Sequence, residues 1–209
     1  MENTSEKNRE MTAQESLALI TETLNKSRRD ITRRSSKYYI LWGVLLTTFS
    51  LVVYVLWKTT GRAAWNNLWF AMPVVGFIIA RLLRDKEKDK QTSNDVSRIT
   101  QGLWTSFGIF SCAVAAFTLI YSQLSADQLH TMISLAGLTS EIVLIFGLTE
   151  CACGVALRNW VIKIAGFVTG IGGLAIYYIT GVGCEQMLIF TFAGVVLIAT
   201  GMIVKSQYK

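Results

Sequence analysis

Two glutamates, Glu141 and Glu150, stand inside one long apolar stretch of this chain, and no other acidic residue lies as deep in such a stretch. A charged carboxylate at mid-membrane costs about 2.5–3.5 kcal/mol on insertion scales, so residues of this kind mark proton, ion or substrate sites unless a partner satisfies them. Removal from water favours the neutral carboxyl. Both glutamates are therefore candidates for handling a proton or a cation. Nine residues of helix turn through about 900°, half a turn beyond two full ones, so on a straight helix the two carboxyls face opposite ways. Only a break near Gly147 would bring them together. Glu150 shares its face with Phe146, Gly147, Cys153 and Gly154, small neighbours that admit another helix, water or a cation. Glu141 shares its face with Gly137, Leu138, Ile145 and Leu148, a drier setting. The structural alternative is an interhelical hydrogen bond, with Ser106, Ser111 and Thr118 within the chain's other apolar stretches as partners. Such bonds contribute only about 0.6 kcal/mol each.

Other reactive residues are scarce. His130 is the single histidine and is expected in a loop, which excludes His-based metal sites and His-paired nucleophiles inside the apolar stretches. Cys151 and Cys153 are two residues apart, so on a helix they point about 160° away from each other. Cys112 and Cys184 fall in separate segments at different depths, too far for a bond that needs Cα atoms within about 7 Å. All four are expected to act as small apolar residues, and no metal site or cofactor is expected. No phosphate-binding loop, dinucleotide fingerprint, HExxH or GxSxG motif occurs.

The elements that carry these residues are long and apolar. Stretches at 38–57, 67–83, 102–121, 132–157, 160–179 and 187–204 approach or exceed the about 20 residues that a helix needs to cross a bilayer. Lipid offers no partner to backbone polar groups, so the stretches must be helical. The fold class is all-α: a polytopic bundle of six transmembrane helices over 38–209, preceded by an arm at 1–37. Hydrophobic residues make up 52% of the chain, above the roughly 45–50% of soluble domains, in keeping with that count.

Charge sets the orientation. Lys7, Arg9, Lys26, Arg28, Arg29, Arg33, Arg34 and Lys37 lie on the arm, and Arg81, Arg84, Lys86, Lys88, Lys90 and Arg98 at the second connection. Arg158, Lys163, Lys205 and Lys209 fall on the same side, leaving only Lys58 and Arg62 for the other. The positive-inside rule then predicts both termini in the cytoplasm. Trp42, Trp104 and Trp160 at the inner ends, with Trp57, Trp65 and Trp69 at the outer ends, mark two interfacial belts, which Tyr38 and Tyr39 join. This topology accounts for the net charge of +6, so no nucleic-acid partner is expected. A mostly polar arm of thirty-seven residues precedes the first stretch, which is expected to act as an uncleaved anchor.

Within the arm, Thr12 and Glu15 read as a capping box. Ala13, Leu17, Ile20, Leu24 and Ile31 form a thin apolar stripe on an amphipathic helix over about 12–34. So thin a stripe needs a partner surface, which could be the bundle, anionic headgroups or another copy. Pro73 is expected to kink the second helix. Gly166, Gly170 and Gly173 supply small-residue ridges for close packing of the fifth, and Gly194 and Gly201 of the sixth.

The composite reading is a non-enzymatic, multi-pass protein of the bacterial inner membrane with a structural or regulatory role. Its partners are the lipid bilayer and either a second copy or another membrane protein. The alternative from another class is a small secondary transporter or ion-conducting protein using Glu150, with or without Glu141. The orientation is directly testable. Reporter fusions after residues 90 and 209 should read cytoplasmic, and fusions after 60, 126 and 183 external. A cytoplasmic signal at 126 would sink the six-span topology.

Overall fold

A computed structural model describes residues 13–82, 95–124, 128–180 and 183–207, and no strand occurs among them. Thr12 of the expected capping box and most of the charged 84–100 connection lie outside the described residues. The chain runs α1 (Ala13–Thr60), a 3-10 helix (Ala63–Phe70), α2 (Ala71–Leu82), α3 (Asp95–Leu124), α4 (Gln128–Ala156) and α5 (Trp160–Thr180). A short 3-10 turn (Cys184–Gln186) then leads into α6 (Met187–Gln207). Counting the 3-10 segment and α2 together as one stretch (Ala63–Leu82), six helical stretches among the described residues are long and apolar enough to cross a membrane.

The arm helix and the first span are one helix. Residues 13–60 continue through the expected gap at 35–37, because Ser35 and Ser36 return their hydroxyls to the carbonyls of Ile31 and Arg33 and leave the main chain helical. Gly61 ends it: φ of 68° there takes the left-handed turn that closes helices, and its N–H bonds to the Trp57 carbonyl at 2.8 Å. Along α1, the buried residues Thr32, Ser36, Tyr39, Gly43, Leu46, Ser50 and Val53 alternate in steps of four and three. That 3.5-residue period keeps one seam facing a neighbouring helix at a shallow crossing.

The neighbour is α6. A Cβ placed on Gly43 would lie 2.8 Å from the Gly194 carbonyl oxygen and from Ile198, and one on Gly194 would collide with Thr47. Gly201 likewise admits Ile40 and the Ser36 carbonyl. Ser50 donates to the Leu46 carbonyl and Thr200 to that of Val196, so the seam is lined with hydroxyls that their own helices satisfy. A second seam joins α4 to α5, where Gly147 faces Gly170 and Gly166 faces Cys151 through main-chain atoms. Gly173 makes room for Val143 and Ile189, tying this pair to α6. Gly166, Gly170 and Gly173 therefore all lie where α5 meets its neighbours.

The other two helices are peripheral. α2 touches α1 through Trp42, whose ring covers Gly76 and meets Phe77 edge-on at 5.7 Å. α3 leans on α4 through Trp104 and Phe107, packed on Phe146 at 5.6 and 5.3 Å. Their remaining faces are apolar and exposed, with Phe77, Ile109, Phe110 and Phe117 outward. Pro73 does not kink the middle of a helix. It occupies the first turn of α2, after the 3-10 segment, where a missing N–H costs little. His130 lies in the first turn of α4 and not in a loop, since that helix begins at Gln128.

These contacts predict an asymmetry among the glycines. Gly166→Val should destabilise the fold by about 1–3 kcal/mol through overpacking against Cys151 and Gly147. Gly102→Ala, where nothing lies within 4 Å, should be neutral or mildly stabilising. Thermal unfolding in detergent micelles separates the two outcomes.

Candidate functional site

The α4–α5 connection determines what Glu150 meets. It consists of Leu157, Arg158 and Asn159, with Arg158 in the left-handed region at φ 51°. The Asn159 side-chain oxygen caps α5 by accepting the N–H groups of Val161 at 3.0 Å and Ile162 at 3.2 Å. Its amide donates to Gln207 Oε1 at 3.3 Å, which holds the turn against the end of α6. A turn this short fixes an antiparallel register. Gly154 meets Lys163, Cys151 meets Gly166 and Gly147 meets Gly170.

In that register Glu150 enters the bundle beside Thr169. The glutamate is fully buried, and Thr169 Oγ1 donates to its Oε2 at 3.3 Å. Its other oxygen, Oε1, is buried without a hydrogen-bond partner. Tyr39 of α1 lies within electrostatic range, 6% exposed, and its hydroxyl is also buried without a partner. Cys153, fully buried, is within the same range and shares the apolar cluster of Tyr39, Leu157, Ile162, Ala193 and Leu197. Cys151 is buried on the α5 side and donates its thiol to the Lys163 carbonyl at 3.3 Å. Three helices therefore bring a carboxyl, two hydroxyls and a thiol into a dry centre.

The two glutamates are separated as helical arithmetic requires. Glu141 is exposed on the outer surface of α4, in line with exposed Leu144 and Leu148. Its carboxyl reaches back over Gly137, where a Cβ would stand 3.8 Å from Oε1, because helical side chains lean towards their own N-terminus. α4 continues through Gly147 without a break, so the two sites stay apart.

Several expectations are corrected here. The partner of Glu150 is Thr169, not Ser106, Ser111 or Thr118 of α3, because α4 presents its small-residue face to α5. Thr118 bonds back to Val114 instead, at 2.9 Å. Tyr39 is buried in the core and does not stand at an interface. Cys112 is exposed, whereas Cys151 and Cys153 are buried, and all four cysteines are free. A polar contact not anticipated from the sequence joins α4 to the start of α6, with Thr139 Oγ1 donating to Gln186 Oε1 at 3.2 Å between buried groups. Among the described residues no three His, Cys, Asp or Glu side chains cluster as a metal site. No match to a known protein family, to a curated protein or to a solved structure was found.

The geometry makes Glu150 and Thr169 a measurable pair. Glu150→Gln keeps shape and one carbonyl acceptor, so the melting temperature in micelles should hardly change. Thr169→Val removes the donor and strands the second carboxyl oxygen. It should cost about 0.6 kcal/mol, up to about 1.7 kcal/mol, in a membrane setting. Equal and large losses in both variants would show that the contact carries more of the fold than one hydrogen bond.

Proposed function

We propose that the chain is a non-enzymatic interaction protein of the bacterial inner membrane, with both termini in the cytoplasm and α1 carrying the recognition element. The supporting observation is the outer half of α1. Leu17 and Ile20, on one side of the helix, are 64% and 56% exposed where α1 continues into the bundle without a joint. Apolar side chains held in water on a preformed helix suit capture by an apolar groove, the helix-in-groove mode of recognition. Tight main-chain packing around Glu150 suits a scaffold better than a hydrated passage.

Photo-crosslinking amino acids placed singly at Leu17, Ile20 and Glu22 in cells test this reading. A discrete adduct is expected at Leu17 and Ile20 and not at Glu22, which lies on the opposite side of the helix. Equal absence at all three positions would defeat the proposal.

The unpartnered oxygen of Glu150 favours a second reading, a small transporter or ion-conducting protein. In reconstituted vesicles that reading requires pH- or ion-dependent uptake or current that vanishes in Glu150→Gln with melting unchanged.

A further inference from the structure

Two buried oxygens without partners, on different helices and within electrostatic range, call for a chemical explanation. Burying a polar atom without a hydrogen bond costs about 1–3 kcal/mol, so a pair of such atoms in one core is unfavourable unless something joins them. Glu150 Oε1 and the Tyr39 hydroxyl are such a pair. With Glu150 Oε2 and Thr169 Oγ1 they make four oxygen atoms from α1, α4 and α5.

Charge decides what could occupy their centre. A carboxylate in a dry core must be neutralised. Thr169 supplies the hydrogen bond to Glu150, and among the described residues no Lys or Arg pairs with its carboxyl. The titratable groups facing it are Tyr39 on α1 and Cys151 and Cys153 on its own helix. Lys163 of α5 is coupled to Cys151 alone of these. α6 has no titratable side chain between Glu185 and Lys205, and α3 has only Cys112 and Tyr121 beyond Arg98. One positive charge completes the set, while a divalent ion would leave an uncompensated charge. All four donors are hard oxygens, which suit alkali ions and protons and not thiophilic metals.

We propose that Glu150, Thr169 and Tyr39 form a buried monovalent-cation site between α1, α4 and α5, occupied by a proton or by sodium. The site does not rest on the arm or on any partner of it. Occupancy neutralises the carboxyl, and the Thr169 hydroxyl, which donates to Oε2, would turn its lone pairs inward to coordinate sodium. A sodium ion would take these oxygens as its ligands.

Infrared difference spectroscopy on the full chain in vesicles tests the site and separates its two sources. Sodium is exchanged against choline at constant pH, and pH is then raised in choline alone. A carboxyl band change with sodium identifies sodium, and one with pH alone identifies the proton. Either change should be absent in Glu150→Gln and persist in Glu141→Gln. Tyr39→Phe should displace its midpoint by at least about threefold in concentration, or about half a pH unit. If Glu150→Gln fails to fold, Thr169→Val replaces it, with a displaced midpoint expected. Difference spectra that superimpose in wild type and Glu150→Gln, or unmoved midpoints in Tyr39→Phe or Thr169→Val, would overturn the proposal.

Discussion

Where Gly147 faces Gly170 and Gly166 faces Cys151, two helices touch through their main chains, and the centre of the molecule is organised by that approach. A side chain on Gly147 or Gly166 would force the helices apart and withdraw Thr169 from Glu150. Lipid tails are as apolar as leucine, so association inside a bilayer relies on close packing and polar contacts, not on expulsion of water. Small residues are consequently the means by which the buried carboxyl acquires a partner at all. The α1–α6 seam follows the same principle with Gly43, Gly194 and Gly201, adding hydroxyls that bond back to their own helices.

Four helices, α1, α4, α5 and α6, form the packed centre; α2 rests on it through Trp42 and Leu45 of α1, and α3 through Val96 and the Trp104 and Phe107 rings on Phe146. This division explains why hydropathy alone could locate six helices but could not rank them. α2 and α3 are as apolar as a span requires, yet almost none of that surface is covered within the chain. Their apolar character belongs to their solvent, whereas the glycines of α4–α6 belong to their neighbours.

Much of the candidate site was legible before any coordinates. Glu150 stood out by type and depth, and its opposition to Glu141 followed from helical geometry. Thr169 could have been found as well, because the three-residue turn at 157–159 fixes an antiparallel register that brings residue 150 close to it. Tyr39 was not legible. Its position beside a membrane edge reads as an interfacial aromatic, and only the azimuth of α1 against α6 turns it inward. That azimuth was foreshadowed by Ser36, Gly43 and Ser50, small residues seven apart. The exposure of Glu141 was also unreadable, since the sequence gives the angle between the two glutamates but not which of them faces the bundle.

The unbroken course of α1 has a mechanical consequence. Residues 13–37 extend roughly 37 Å beyond the first apolar stretch at 1.5 Å per residue, with no glycine or proline at which to bend. A helix of that kind behaves as a lever with one end clamped. Any torque applied at Leu17 is delivered along the shaft to the Thr32–Val53 seam, on which Tyr39 sits. Rotation of the shaft by one residue's angle would carry the Tyr39 hydroxyl away from Glu150 and bring an exposed face against the glycines of α6.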